Sequence, residues 1–78
     1  MTDLYLSSLP VGSIATVVGV TGKGIQASRL ADLGFLPGTP VTCLRRAPLG
    51  DPRLYELRGV QLCLREAEAA CIRVSLDG

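Results

Sequence analysis

The stretch from 29 to 52 constrains the fold more than any other part of the chain, because it turns the backbone sharply more than once within a short span. Gly34 follows a short apolar helical pattern, at the position where helices commonly end with a residue in the left-handed conformation. Pro37 and Gly38 suit the two central positions of a type II turn. A second rigid corner, PLGDP at 48–52, separates two strand-like runs. These corners limit the chain to short elements and indicate a surface of fixed shape, suited to a partner.

Alternating apolar residues predict five short strands between such corners. The predicted strands cover 13–20, 40–46, 53–58, 61–65 and 71–76. One helix over 25–33 lies between the first and second strands, and a single helical turn over 66–70 precedes the last. Several short strands with hard corners favour a small closed or nearly closed barrel, since closure removes exposed strand edges. We expect the apolar stripe of the helix, Ala27, Leu30, Ala31 and Leu33, to cover an open end of this barrel.

Strand alternation also predicts which side chains point into the barrel. The predicted inward residues on the last three strands are Tyr55, Leu57, Leu62, Leu64, Ile72 and Val74. On strand 40–46, Val41, Cys43 and Arg45 share one face, and Thr42, Leu44 and Arg46 share the other. Phe35 is expected to cap the core. Residues 1–8 carry too little pattern to predict an element.

Length and charge limit the classes of protein to which the chain can belong. Seventy-eight residues predict a single domain over 1–78. No apolar run approaches the roughly 18 residues of a membrane-spanning helix, and no basic segment precedes an apolar leader, so a soluble cytoplasmic protein is expected, without membrane insertion. The net charge of +1 is too balanced for a nucleic-acid-binding surface.

The residues that usually perform catalysis are scarce. The chain has no histidine, and its serines lack a nucleophile-elbow context, so we expect no catalytic residue and no enzyme activity. Three cysteines without a leader argue against a disulfide framework. Cys43 is expected to be buried. Cys63 and Cys71 are predicted to face outward on the strands joined by the helical turn, which makes them weak candidates for holding Fe²⁺ or Zn²⁺. No other cofactor is expected.

The strongest functional signal is a set of apolar residues in rigid loops. Such loops are good docking surfaces, because little conformational entropy is lost when they bind. The predicted partner-binding residues are Leu36, Pro37, Pro48, Leu49, Gly50 and Asp51, with Arg45, Arg46 and Arg53 as a basic rim suited to acidic groups on a partner.

The same stretch resembles a known family. The run RLADLGFLPGTxV, followed by RRAPLGDP, is similar to the FeoA family, whose members are small cytoplasmic proteins associated with bacterial ferrous iron uptake. The resemblance covers roughly 7–75, from Leu9-Pro10-x-Gly12 to a closing segment with Leu62, Leu64, Arg65, Glu66, Ala69, Ile72 and Val74. It implies an SH3-like barrel that docks on the cytoplasmic side of a FeoB-type membrane GTPase transporter rather than holding iron.

The chain departs from the family pattern in three respects, one of which is that its three cysteines occupy positions expected to hold ordinary strand residues. Arg53 stands where an apolar residue is more usual, which leaves the register of that strand open by one residue. The basic residues often found in the first half of the helix are replaced by Ile25, Gln26 and Ala27. An alternative interpretation stays open, in which the chain is a metal-responsive regulatory module similar to the SH3-like domain of metal-dependent repressors. Weak self-association through Cys63 or the apolar loops also stays open.

Overall fold

The computed structural model describes residues 3–22 and 24–76, and within these it contains six strands, two α-helices and one 3₁₀ turn. The strands are β1 (Asp3–Tyr5), β2 (Ile14–Val20), β3 (Pro40–Arg46), β4 (Arg53–Leu57), β5 (Val60–Leu64) and β6 (Ile72–Ser75). The helices are α1 (Ile25–Asp32) and α2 (Glu66–Ala69), and the 3₁₀ turn is Leu6–Ser8. The predicted mainly β architecture, with one helix between two strands and a helical turn before the last strand, is therefore confirmed.

The strands form one antiparallel sheet in the order β1-β6-β2-β3-β4-β5, so β1 and β5 lie at its two edges. The 3₁₀ turn lies against both α2 and β6, and α2 lies against β5. These short helical segments therefore fill the gap between the two edges of the curved sheet. The result is a nearly closed barrel, as the pattern of short strands predicted.

Apolar side chains from β2 to β6, the two helices and the connecting segments meet in one core inside the barrel, and Leu4 of β1 packs against it. Its members are Leu6, Leu9, Ala15, Val17, Leu30, Phe35, Val41, Cys43, Tyr55, Leu57, Leu64, Ala69, Ile72 and Val74. The inward positions predicted for β4 to β6 are thus confirmed, except that Leu62 is only partly buried. Phe35 is buried, as expected for a residue that caps the core.

The first strand and the 3₁₀ turn are the elements that sequence analysis missed. β1 has three residues, too few for a periodic pattern, and it exists because Leu4 pairs with Val74 of β6. Leu6 follows it into the core, where its carbonyl oxygen accepts a hydrogen bond of 3.2 Å from the Tyr55 hydroxyl. Both elements depend on contacts with residues about 50 to 70 positions away, which local sequence does not show.

The turn between β4 and β5 lies one residue earlier than predicted. Arg58 and Gly59 both have positive φ, at 54° and 79°, and Leu57 pairs with Val60 across the turn. Two consecutive residues with positive φ are typical of the type I′ hairpin, which matches the twist of the flanking strands. The expected link at Gly59 and Val60 was therefore wrong by one position, and Val60 begins β5.

The helix and its glycine stop confirm one part of the prediction and correct another. Gly34 has a φ of +114°, the left-handed conformation expected at the end of α1. Leu30 is buried, but Leu33 is 44% exposed, so its place in the buried stripe was wrong. Leu33 is the C-cap residue, just beyond the last residue of α1, and α1 buries only a narrow line of its surface.

Candidate functional site

The loop that joins β3 to β4 is fixed by its own hydrogen bonds. The Gly50 N–H donates to the Ala47 carbonyl oxygen over 2.7 Å, which places Pro48 and Leu49 at the centre of a β-turn. The Ala47 N–H donates in turn to the carbonyl oxygen of Pro52 over 3.0 Å and closes the base of the loop. The rigid corner predicted for 48–52 is therefore present.

A second contact ties this loop to the start of α2, which follows the neighbouring edge strand β5. The Oδ1 atom of Asp51 accepts a hydrogen bond of 2.9 Å from the backbone N–H of Glu66, the first residue of α2. A carboxylate at this position satisfies a backbone donor that the helix itself leaves unpaired. Asp51 thus acts as a brace for the loop, a role that its position in the sequence did not reveal.

The braced loop holds Leu49 almost completely in solvent, with 96% of the residue exposed. Pro48 and Pro52 are exposed beside it. An apolar side chain at the tip of an ordered loop contributes nothing to the core of the barrel. We call the exposed residues Pro48, Leu49 and Pro52 the Leu49 surface, and the end of the barrel that they border, between Leu9 and the start of α2, the barrel mouth.

A β-bulge in β3 changes which arginine faces the barrel mouth. Cys43 pairs with Tyr55, but Arg45 pairs with Leu54 and Arg46 pairs with Arg53, so one residue of β3 is extra. Since paired residues lie on the same side of a sheet, Arg46 shares the inner side with Arg53. The expectation that Arg45 and Cys43 share a face was wrong, and the sequence carries no glycine that marks the bulge. Arg45 lies on the outer side.

The two inner arginines differ in their surroundings. Arg46 is exposed, and its Nη2 atom donates to the Leu9 carbonyl oxygen over 3.4 Å across the barrel mouth. Arg53 is only 8% exposed, and its Nε and Nη1 atoms have no hydrogen-bond partner. The prediction of an exposed rim that includes Arg53 is therefore wrong, because the first position of β4 faces inward with Tyr55 and Leu57.

The predicted partner-binding residues do not all come together. Leu36 and Pro37 precede β3, whereas the Leu49 surface follows it. β3 has seven residues, and a strand rises about 3.3 Å per residue, so roughly 20 Å separate the two groups. The Leu36 turn does have the predicted type II geometry, with a 3.1 Å hydrogen bond from the Thr39 N–H to the Leu36 carbonyl oxygen and a φ of +88° at Gly38. It lies at the opposite end of the barrel.

The cysteines are separated in a similar way. Cys43 is buried in the core, as predicted. Cys63 is exposed on β5, and Cys71 is partly buried just before β6, a strand that does not neighbour β5. Across 3–22 and 24–76, no group of three or more cysteine and acidic side chains is placed to hold a metal ion. The hypothesis that Cys63 and Cys71 hold a metal ion together therefore has no support from the order of the strands.

Burial in the core raises the pKa of the Tyr55 phenol to about 12, and the nearby Cys43 thiol adds to this effect. Arg53 and Arg46 oppose it, since their charges favour the phenolate. Because the folded protein holds this proton more tightly than the unfolded chain, Tyr55 stabilises the fold fully below pH 10 and loses that contribution as the pH rises to 12.

We therefore predict that wild-type protein loses about 2–3 kcal/mol of unfolding free energy between pH 10 and 12 through Tyr55 alone. Tyr55→Phe should lack this loss, although it is less stable at pH 7 by about 1 kcal/mol without the hydrogen bond to Leu6. Urea unfolding at several pH values measures both effects. Tyr5→Phe, at an exposed position, is the matched control, and equal alkaline losses in Tyr55→Phe and wild type would contradict the assignment.

Comparison with known proteins identifies the same family that the sequence motifs resemble. The FeoA domain family matches residues 4–76. The chain is 38% identical over 73 residues to the Fe(2+) transport protein A/Fe(2+) transporter FeoB fusion protein of Porphyromonas gingivalis, covering 94% of this chain and 9% of that protein. The chain therefore spans only a small part of that relative.

Solved structures share the fold. FeoA protein from Chlorobium tepidum has a TM-score of 0.86 and 37% identity, covering 96% of this chain and 71% of that one. A second structure is that of Stenotrophomonas maltophilia FeoA, which was solved in complex with zinc and is described as an SH3 domain protein. It has a TM-score of 0.84 and 32% identity, covering 92% of this chain and 89% of that one. The expected SH3-like barrel is confirmed. A manganese-dependent transcriptional repressor, at 16% identity and a TM-score of 0.82 over 94% of this chain and 41% of its own, shares the fold alone.

Proposed function

The chain belongs to the FeoA family, and from this premise we propose that it is a non-catalytic accessory protein of ferrous iron uptake that docks on the cytoplasmic side of a FeoB-type transporter. None of the helices in the described part of the chain is long and apolar enough to cross a membrane. Docking on a membrane transporter requires a surface that binds protein, and the barrel mouth provides the best candidate.

The fusion in Porphyromonas gingivalis supports this partner. In that protein, the transport protein A part and the FeoB transporter part are on one polypeptide. Covalent linkage gives two modules a high effective concentration for each other, which favours any weak contact between them. Where the two parts are on separate polypeptides, the FeoA part needs a surface that binds the transporter without such linkage.

The observation that carries the docking proposal is the exposure of Leu49 on an ordered loop. The loop is closed by the hydrogen bond between Ala47 and Pro52 and braced through Asp51, so it keeps its shape without a partner. Burying an exposed leucine side chain on binding contributes about 1.5–3 kcal/mol, and a rigid loop loses little entropy in the process. Leu49 thus has the properties of an interface anchor.

Affinity capture from membranes tests the proposal. The purified chain is immobilised, and detergent-solubilised membranes from its own organism are passed over it, with GTP, with GDP and without nucleotide. Mass spectrometry should identify the FeoB-type transporter among the retained proteins in at least one of these conditions. If the transporter passes through a correctly folded column in all three, the docking proposal is wrong.

The alternative interpretation, a metal-responsive regulatory module, stays a prediction. Fold likeness at 16% identity shows the fold alone, and no contact within the described residues favours metal sensing over docking. Titration of the purified chain with cobalt(II) at neutral pH checks this interpretation, since binding by Cys63 or Cys71 would produce thiolate charge-transfer absorption.

A further inference from the structure

The buried side chain of Arg53 is the feature that the proposed function leaves unexplained. A buried charge is costly unless it is paired and hydrogen-bonded, and a buried donor without an acceptor costs its full desolvation penalty. Arg53 is more than nine-tenths buried, yet its Nε and Nη1 atoms have no partner. No carboxylate of the described residues forms an ion pair with it.

A second positive charge lies beside the unpaired guanidinium group of Arg53. Arg46 lies directly opposite on β3, and like charges facing each other across a sheet are destabilising. The acidic residue closest in the loop, Asp51, already accepts the N–H of Glu66 at the start of α2. Two guanidinium groups therefore share the barrel mouth, and within residues 3–22 and 24–76 no carboxylate pairs with either of them.

We propose that Arg53 and Arg46 form a recognition site for a carboxylate, and that the carboxylate is an acidic side chain of the protein partner that docks on the Leu49 surface. This inference rests on the proposed function for the identity of the partner. The planar guanidinium group matches a carboxylate with two parallel hydrogen bonds, and such charge-assisted bonds are roughly twice as strong as neutral ones.

The two arginines contribute to binding in different ways, because one is exposed and the other is buried. Arg46 is exposed at the opening and gives an incoming carboxylate its first favourable contact. The Nε and Nη1 atoms of Arg53 lie out of solvent, so the carboxylate gains their hydrogen bonds by drawing the guanidinium group toward the mouth. The partner segment that fits is therefore an acidic residue next to an apolar one, with the apolar side chain on Leu49 and the acid in the mouth.

Arg53→Leu separates a recognition role from a structural role. An apolar side chain of similar size at a buried position removes an unpaired charge, and such replacements are often neutral or stabilising. We expect Arg53→Leu to keep or raise the melting temperature of the isolated chain, while its affinity for the transporter falls about thirty-fold or more. Arg45→Gln, which removes an arginine from the outer side, should leave both quantities unchanged. A large drop in melting temperature for Arg53→Leu would show that Arg53 is structural and would overturn the proposal.

A titration without the transporter tests the anion site by itself. Sodium acetate is added to ¹⁵N-labelled wild-type protein, against sodium chloride at the same ionic strength, and the Arg53 Nε–H resonance is identified by its absence from Arg53→Leu. A saturable acetate-specific shift supports the site, and its absence overturns it. If acetate binds but Arg53→Leu still binds the transporter with full affinity, the site is for a free anion and the partner assignment is wrong. If wild-type chain fails to bind the transporter, the proposed function fails, whereas the acetate result still decides the anion site.

Discussion

Leu49→Asp is expected to weaken binding to the FeoB-type transporter by at least about thirty-fold while the melting temperature of the isolated chain stays the same. Interface anchors typically lose 2 kcal/mol or more when they are truncated, and an aspartate adds a charge that must be desolvated in an apolar contact. Leu49 is 96% exposed, and substitutions at such positions usually change the unfolding free energy by no more than about 0.5 kcal/mol.

Leu36→Asp is the matched control for this experiment. Leu36 is also an exposed leucine in a rigid turn, but it lies at the opposite end of β3. If docking uses the barrel mouth, Leu36→Asp should bind the transporter like wild type. Loss of binding in Leu36→Asp and not in Leu49→Asp would move the docking surface to the other end of the barrel. Unfolding of Leu49→Asp would instead show that Leu49 supports the core.

Gly34→Ala should destabilise the fold by about 2–5 kcal/mol and lower the melting temperature by more than about 10 °C. A side chain at a φ of +114° is strained, and a Cβ atom there would lie 2.9 Å from Cδ2 of the buried Leu57. Leu57 is packed in the core and has little freedom to move away. A domain of this size has a total stability of only about 4–12 kcal/mol, so the loss is a large share of it.

Gly38→Ala separates backbone strain from the close contact with Leu57 as causes of the lost stability. Gly38 has a similar positive φ, at +88°, but a Cβ atom there meets nothing within 4 Å. It should therefore show the backbone strain alone, about 1–3 kcal/mol, and a smaller drop in melting temperature than Gly34→Ala. Chemical unfolding of both variants measures the difference. Equal losses would mean that the contact with Leu57 contributes nothing and that the strain accounts for the whole effect.

The parts of the fold that sequence predicted well are those with strong local signals. The strand over 40–46 begins at a proline and alternates apolar residues with polar ones, and the structure has it with the same bounds. The glycine stop at Gly34 and the type II turn at Pro37 and Gly38 follow from backbone conformations that few other residues adopt. Tyr55 and Leu57 were placed inward by alternation alone.

The parts that sequence did not predict depend on contacts between distant residues. β1 is formed by its pairing with β6, and its three residues carry no period of their own. The bulge in β3 lies in a run without glycine or proline, and it reverses the sides of Arg45 and Arg46. For the same reason, a charged residue at the start of β4 was expected in solvent, whereas the pairing of β4 with β3 and β5 faces Arg53 inward.

The candidate site was predicted only in part. Rigid apolar corners were correctly located in the sequence, but their grouping into one surface required the direction and length of β3, which separate Leu36 from Leu49. The brace from Asp51 to the start of α2 joins residues 15 positions apart, and the β4–β5 hairpin brings them together, since Arg53 pairs with Leu64. Partner identity came from the family and the fusion, and no physical property of the residues alone indicates iron transport.

The central claim, direct docking on a FeoB-type transporter, is tested most directly by an equilibrium binding measurement with purified components. The transporter from the same organism is purified in detergent, and its affinity for the fluorescently labelled chain is measured with GTP, with GDP and without nucleotide. We predict saturable binding with a Kd of about 1 μM or tighter in at least one state, which corresponds to roughly −8 kcal/mol. Absence of saturable binding in all three states, with a chain that is folded and a transporter that hydrolyses GTP, would contradict the account.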